Sequence, residues 1–180
     1  MQEPQPHSDH PDIAIIGAGI IGLAAAWRLA QHGARVTVFD RGAAGQGASH
    51  AAAGMLAACA EAEPGEEQLI ALCRDGQARW PEFAAELEAA AGTSVDLRRE
   101  GTLVVARTAD EQARVKHQLE FQHALGLPVE WISAADARRR EPHLAVNIAG
   151  AVFSPQDHQV DNRKVAAALR IAAERAGVTV

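Results

Sequence analysis

No tyrosine occurs among the 180 residues, and aromatic residues make up only 4% of the chain. That absence removes one residue type that could hold a substrate carboxylate. Cysteine is nearly absent as well. Cys59 and Cys73 stand 14 residues apart, with no CxxC pair and no histidine at ligand spacing. The pattern argues against a zinc site or a disulfide framework and fits a reducing, cytoplasmic setting. No apolar run reaches the about 18 residues of a membrane span. The stretch from Ile13 to Trp27 is shorter and carries three glycines. The first ten residues contain Glu3, Asp9, His7 and His10 and lack the basic start of a signal peptide. Residues 1–10 are therefore read as a flexible tail whose histidines have no role. Basic residues are outnumbered, 17 Lys and Arg against 23 Asp and Glu, for a net charge of -6. Neither nucleic acid, whose backbone demands concentrated positive charge, nor a membrane is an expected partner. The dense basic run Arg138 to Arg140 reads as a solvated helix end.

What is present suits a folded domain: 48% hydrophobic and 22% charged residues, in a chain long enough to bury a real core. Asp12 to Ile16 is a continuous apolar run that predicts a strand buried on both faces, as in a parallel sheet. Ile20 to His32 carries a helical apolar stripe, with Gly33 placed to end it. Arg35 to Phe39 predicts a second strand, completing a βαβ unit. Gly42 to Ala58 has neither a helical nor a strand period and reads as a binding loop entering a helix. Glu66 to Ala91 is helical, and Gly76 with Pro81 predicts a division into two helices. Strands are expected at Gly101 to Ala106, Val129 to Ile132 and Gly150 to Phe153. Helices are expected at Asp110 to Leu125, at Ala134 to Arg140 behind a Ser133 cap, and at Asn162 to Ala176 behind an Asp161 cap. Pro155 to His158 reads as a turn. Val178 to Val180 starts a strand whose pairing partners are expected to lie outside the sequence, so the chain reads as truncated.

The glycines at 17, 19 and 22 carry chemical meaning because a predicted strand precedes them and a predicted helix follows. Gly17 permits the tight turn, Gly19 clears the approach of a pyrophosphate, and Gly22 lets helix and strand pack closely. Amides near Ile20 and Ile21 then face the phosphates at the positive end of the helix dipole. Asp40, 18 residues past Gly22, can accept hydrogen bonds from a ribose diol and would repel a 2′-phosphate. FAD and NAD share this unit, and the fingerprint by itself does not choose between them. Its place near the start of the chain, with its extension to Ala26 and Gly33, favours FAD.

Ala48-Ser-His-Ala-Ala-Ala-Gly-Met-Leu56, followed by Glu61, resembles the stretch after the second strand in glycine oxidases of the D-amino-acid oxidase family of FAD-dependent oxidoreductases. Gly150 to Asp161 resembles the segment that leads that family's chain back to its FAD domain. The resemblance implies an α/β fold, with a Rossmann-like FAD-binding βαβ unit and an α+β insertion belonging to a substrate domain. The implied divisions are 11–60 for the FAD unit and flavin loop, 61–149 for the insertion and 150–180 for the return segment. Arg41, Ala48, Ser49, Ala53, Gly54 and Met55 map onto cofactor-contacting positions, joining Gly17, Gly19, Ile20, Ile21, Gly22 and Asp40. The implied chemistry is hydride transfer from glycine or another small amine to flavin. An imine, glyoxylate, ammonia and hydrogen peroxide result, and the imine feeds thiamine thiazole synthesis. The implied partners are a small amine or amino-acid substrate and molecular oxygen, with homo-oligomer formation left open. No catalytic residue and no metal ligand is assigned, and the 180 residues alone are expected to be inactive. A D-amino-acid or sarcosine-type oxidase or dehydrogenase, and a truncated FAD-binding remnant, stay open as alternatives. Asn162 stands where these proteins often carry proline, and His158 is read as a structural turn residue.

Overall fold

The computed structural model describes residues 12–180. The expected tail, with His7 and His10, lies outside the described residues. The elements in chain order are β1 (Ile13–Ile16), α1 (Ile20–Gln31), β2 (Val36–Phe39), α2 (Ala48–Ala51), β3 (Met55–Leu56), α3 (Glu67–Ala91), β4 (Thr102–Ala106), α4 (Ala109–Ala124), β5 (Glu130–Ile132), α5 (Ala134–Arg140), β6 (Gly150–Ser154), β7 (His158–Gln159) and α6 (Asn162–Arg175). They form two compact units. Of the described residues, the first comprises 12–53, 83–95 and 161–180, and the second comprises 54–82 and 96–160.

In the first unit β1 and β2 pair in parallel, Ile13 opposite Val36 through Ile16 opposite Phe39. Parallel pairing needs a crossover, and α1 supplies it. Gly33 adopts φ 86°, and the bonds Gly33 N–H to Ala30 O and Ala34 N–H to Leu29 O close the helix as a Schellman motif. Leu23, Ala26 and Trp27 of α1 are buried together with Val165, Ala168, Leu169 and Ala172 of α6. Small residues on both helices let their backbones approach closely. The Trp27 ring meets Phe83 edge to face at 6.0 Å, and Arg28 pairs with Glu86 beside it at 2.5 Å.

Two expectations are corrected here. Strand β1 is not buried on both faces. Its residues alternate between partly buried and exposed, and Ile16 is 92% exposed. Alternate side chains of a strand point to opposite faces, and among the described residues only one face of β1, with α1 packed beside it, is covered, which leaves Ala14 and Ile16 on the open face. The strand expected at Val178, conversely, does have a partner in the sequence. Thr179 bridges Thr37 in parallel, with Val38 N–H to Thr179 O at 2.8 Å and Thr179 N–H to Val36 O at 3.1 Å. Helix α6 serves as the connection that returns the chain beside β2.

The second unit is an antiparallel sheet of order β4-β6-β5. All five residues of the central strand β6 are buried. Alternate residues feed opposite faces. Val152 joins Val115, Leu119, Leu127 and Val129 on one side, while Ala151 and Phe153 join Ile132, Ala137 and Ile148 on the other. The two expected caps form: Ser133 accepts from Asp136 N–H and, in the first unit, Asp161 accepts from Arg163 and Lys164 N–H, while Thr108, not singled out in the sequence, caps α4 by accepting from Glu111 N–H.

Three further corrections concern local elements. Helix α3 runs unbroken for 25 residues with Pro81 inside it. Proline removes a single backbone donor, and the burial along the helix outweighs that loss. The stretch 42–58, expected as a binding loop entering a helix, contains the short helix α2 and also a strand, β3, because Met55 and Leu56 find partners in Gln159 and His158. His158 consequently sits in β7 rather than in a turn.

Candidate functional site

Strand β1 delivers the chain into Gly17, whose φ of 106° is a conformation that side chains disfavour. Its N–H donates to Phe39 O at 2.7 Å, so the turn is tied to the end of β2. Gly19 is the extended N-cap of α1. A Cβ at Gly22 would overlap the Gly17 carbonyl oxygen and lie 3.4 Å from Ile15 Cγ2, so the third glycine allows the helix to close on the turn. A Cβ added at Gly17 would meet nothing within 4 Å, which leaves open space at the mouth of the turn.

Asp40, at the end of β2, braces this turn. Its Oδ2 accepts from Ala18 N–H at 2.8 Å and its Oδ1 from Gly42 N–H at 2.9 Å. The Ala18 bond first, and the Gly42 bond second, hold its carboxyl below the usual range. The side chain is exposed, and each oxygen keeps a lone pair for a further donor. A depression lined by Ala14, Ile16, Gly17, Phe39, Asp40 and Arg41 lies at this point. A helix start, an open glycine turn and an acid with spare acceptors fit the ribose and pyrophosphate of a dinucleotide.

The first part of the following loop belongs to the same unit. Ser49 Oγ accepts from Ile20 N–H at 2.9 Å, and a Cβ on Gly19 would approach that oxygen to 3.2 Å. Ile20 N–H is thus engaged by Ser49 rather than directed outward, while the Ile21 side chain is 84% exposed. Asn162 Nδ2 donates to the carbonyls of Ser49 at 2.6 Å and His50 at 3.2 Å. Gly17, Gly19, Ile20, Ile21, Gly22, Asp40, Arg41, Ala48, Ser49 and Ala53 therefore share one unit. Gly54 and Met55 open the other.

In the second unit Gly54 O accepts from Val160 N–H at 2.9 Å, which sets the start of β3. Met55 is half exposed and lines a groove of ≈ 410 Å³ with Leu56, Leu69, Ile70, Cys73 and Trp80. Gln77, which also lines this groove, donates to Asp157, a residue that sequence reasoning missed. It is fully buried, and its carboxylate accepts from Cys59 N–H at 3.0 Å, Ala60 N–H at 2.8 Å and Gln77 Nε2 at 2.8 Å. Gln77 Nε2 also donates to Leu56 O at 2.6 Å, and Gln122 Nε2 to Cys59 O at 3.0 Å. The turn after β3 is thus held by inward-facing polar side chains. Burial, and then the charge of Asp157, push the Cys59 thiol up, which keeps it protonated and unreactive. His158 Nδ1 is buried without a partner among the described residues.

A family model described as DAO, FAD dependent oxidoreductase, matches residues 12–180. A glycine oxidase from Geobacillus kaustophilus is 38% identical over 167 residues, covering 92% of this chain and 44% of that protein. A protein named as a thiamine biosynthesis oxidoreductase, ThiO, from Rhizobium etli is 37% identical over 167 residues, covering 91% of this chain and 46% of its own length. The crystal structure of the Geobacillus kaustophilus glycine oxidase superposes with a TM-score of 0.87, covering 93% of this chain and 45% of that one. The chain therefore spans less than half the length of these relatives.

Proposed function

Since the chain belongs to the DAO family of FAD-dependent oxidoreductases, matched across residues 12–180, we propose that it provides the FAD-cradling portion of an amine oxidase that acts on glycine or a similarly small amine. The observation that carries this reading is the turn at Gly17 to Gly22 with Asp40 braced against it, half open and at the positive end of α1. When bound, FAD supplies the hydride acceptor that turns such an amine into an imine, with release of glyoxylate and ammonia and formation of hydrogen peroxide from oxygen. The protein's own residues bind and orient.

Asp40 accepts the ribose hydroxyls with the lone pairs that Ala18 and Gly42 leave free, and Arg41 adds a positive charge beside them. The α1 terminus faces the pyrophosphate. Ser49, already on Ile20 N–H, offers its hydroxyl proton toward an anionic oxygen. Met55, with a soft and adaptable side chain, covers apolar surface at the flavin end. The similarity to a glycine oxidase and to a thiamine biosynthesis oxidoreductase supports glycine as substrate and a place in thiamine synthesis.

The cofactor part is tested by titrating the protein with FAD and following flavin fluorescence, in parallel with Gly19→Val. A branched side chain at Gly19 obstructs the pyrophosphate and crowds Ser49 Oγ, so binding is expected to vanish. Undiminished binding would overturn the cradle. The substrate part is tested by oxygen-dependent peroxide formation from glycine, sarcosine and D-alanine, in protein carrying these residues within the length of its relatives. A rate with D-alanine far above that with glycine would overturn the glycine reading while leaving the flavin reading in place.

A further inference from the structure

We propose that Asn162 is a positioning residue for the FAD cradle: it holds Ser49 in place, so that the Ser49 hydroxyl stays at the start of α1. The inference rests on the FAD reading above and deepens it.

The geometry is a relay within the first unit. Asn162 is the first residue of α6, directly behind the Asp161 cap, which accepts from Arg163 and Lys164 N–H at 3.0 Å each. The helix start is thus secured by Asp161, and the Asn162 side chain is left for another task. It is partly buried and points at two carbonyl oxygens, Ser49 O at 2.6 Å and His50 O at 3.2 Å. With oxygens on both contacts, only the amide nitrogen can face them, which fixes the orientation of the amide. These two carbonyls belong to α2, a helix of four residues, too short to be stable by itself. Its N-cap, Gly47, has no side chain to close it. The amide of Asn162 therefore supplies an anchor from outside the turn.

The other end of the relay is the cradle. The Ser49 backbone is fixed by Asn162, and its Oγ takes Ile20 N–H at 2.9 Å, one residue after Gly19. An amide at this position in the first turn of α1 has no carbonyl four residues back within the helix to receive it. Ser49 satisfies it and keeps its own hydroxyl proton to donate. A displacement of α2 would leave Ile20 N–H to water and remove that donor from the pyrophosphate.

The first residue of a helix is also a position that tolerates proline well, because its N–H has no partner inside the helix. Asn162→Pro therefore removes both side-chain bonds while keeping the helix start intact. The variant separates positioning from folding. Asn162→Asp turns a donor into an acceptor facing two carbonyl oxygens, and is expected to disturb α2 more strongly.

Two readouts are needed. Residue-resolved amide exchange on the unliganded protein should show faster exchange at Ile20 and within 48–52 in Asn162→Pro, with α6 and the melting temperature unchanged or higher. FAD titration should then give a dissociation constant about three- to tenfold weaker for Asn162→Pro, the scale of one or two lost hydrogen bonds, and weaker again for Asn162→Asp. Unchanged exchange at Ile20 in Asn162→Pro would overturn the proposal, as would unchanged FAD affinity in a variant whose Ile20 had loosened. If the parent protein bound no FAD at all, the FAD reading would fall, and the positioning of Ser49 toward a cofactor would fall with it. The exchange result would still report whether Asn162 holds α2.

Discussion

In the first unit the groups suited to meet a ligand are mostly backbone: glycines, helix-terminal amides and an exposed carboxylate already bonded to two N–H groups. In the second the polar groups are side chains turned inward, Asp157, Gln77 and Gln122, and their partners are the backbone of residues 56–60 and, between Gln77 and Asp157, each other. The first arrangement keeps its acceptors exposed beside open space, while the second buries its carboxylate away from solvent. A dinucleotide can be held by a turn whose shape is set by missing side chains. A loop that must present Met55 and Leu56 at a fixed place needs internal clamps instead. The contrast separates where binding chemistry is exposed from where conformation is stored.

Loss of the inward clamp should have the largest effect. Asp157→Ala leaves three buried donors without their acceptor, and thermal or urea unfolding should show a loss of about 3 to 5 kcal/mol. A loss below 1 kcal/mol would mean that the loop 57–60 is not held by this carboxylate. Next comes Gly22→Ala, whose Cβ overlaps the Gly17 carbonyl oxygen and forces the turn to shift. A cost of about 3 kcal/mol is expected, at the upper end for an overpacked site. FAD binding should be lost with it, and retained binding would show that the turn has more freedom than the contact implies.

Asp40→Ala should weaken FAD about tenfold, since it removes acceptors for the ribose and also the brace on Ala18. An unchanged dissociation constant would take Asp40 off the ribose. The smallest effect is in the pH dependence. Hydrogen bonds from Arg107 bring the Glu111 carboxyl from 4.5 to about 2. A depressed carboxylate contributes stability above its unfolded value and loses it as the pH falls through its folded one. Melting temperature should therefore decline between about pH 4.5 and about 2, and Glu111→Gln should remove part of that slope, by a small amount because the pair is exposed. Asp40 is depressed in the same direction, so FAD affinity should not titrate through it between about pH 5 and 8.

The βαβ core was legible because its three glycines, its apolar strand and its acid occur at spacings with a single structural meaning. Two helix caps were legible as well, because Ser133 and Asp161 sit one residue before a helical period, whereas the Thr108 cap of α4 was passed over. What failed to show depends on tertiary partners. Pro81 looked like a break, yet one missing donor does not end a helix that packing supports. The partner of Val178 to Val180 lies more than 130 residues earlier, in β2, and no local pattern announces it. Ile16 is as apolar as any core residue and is exposed, since the face of β1 that it shares with Ala14 is uncovered among the described residues. Asp157 carries no sequence mark of burial, because an acid after Pro155 also suits a solvated turn. Asn162 was visible as a departure from proline, but the two carbonyls it meets belong to residues more than 110 positions away.

The most direct test of the account is residue-resolved amide exchange of the protein with and without saturating FAD. Slowed exchange is expected at Gly17 to Gly22, at Asp40 to Gly42 and around Ala48 and Ser49, with the antiparallel sheet of β4, β5 and β6 unaffected. Protection confined to the groove around Leu69, Cys73 and Trp80, with the glycine turn unchanged, would contradict the claim that this turn holds the cofactor.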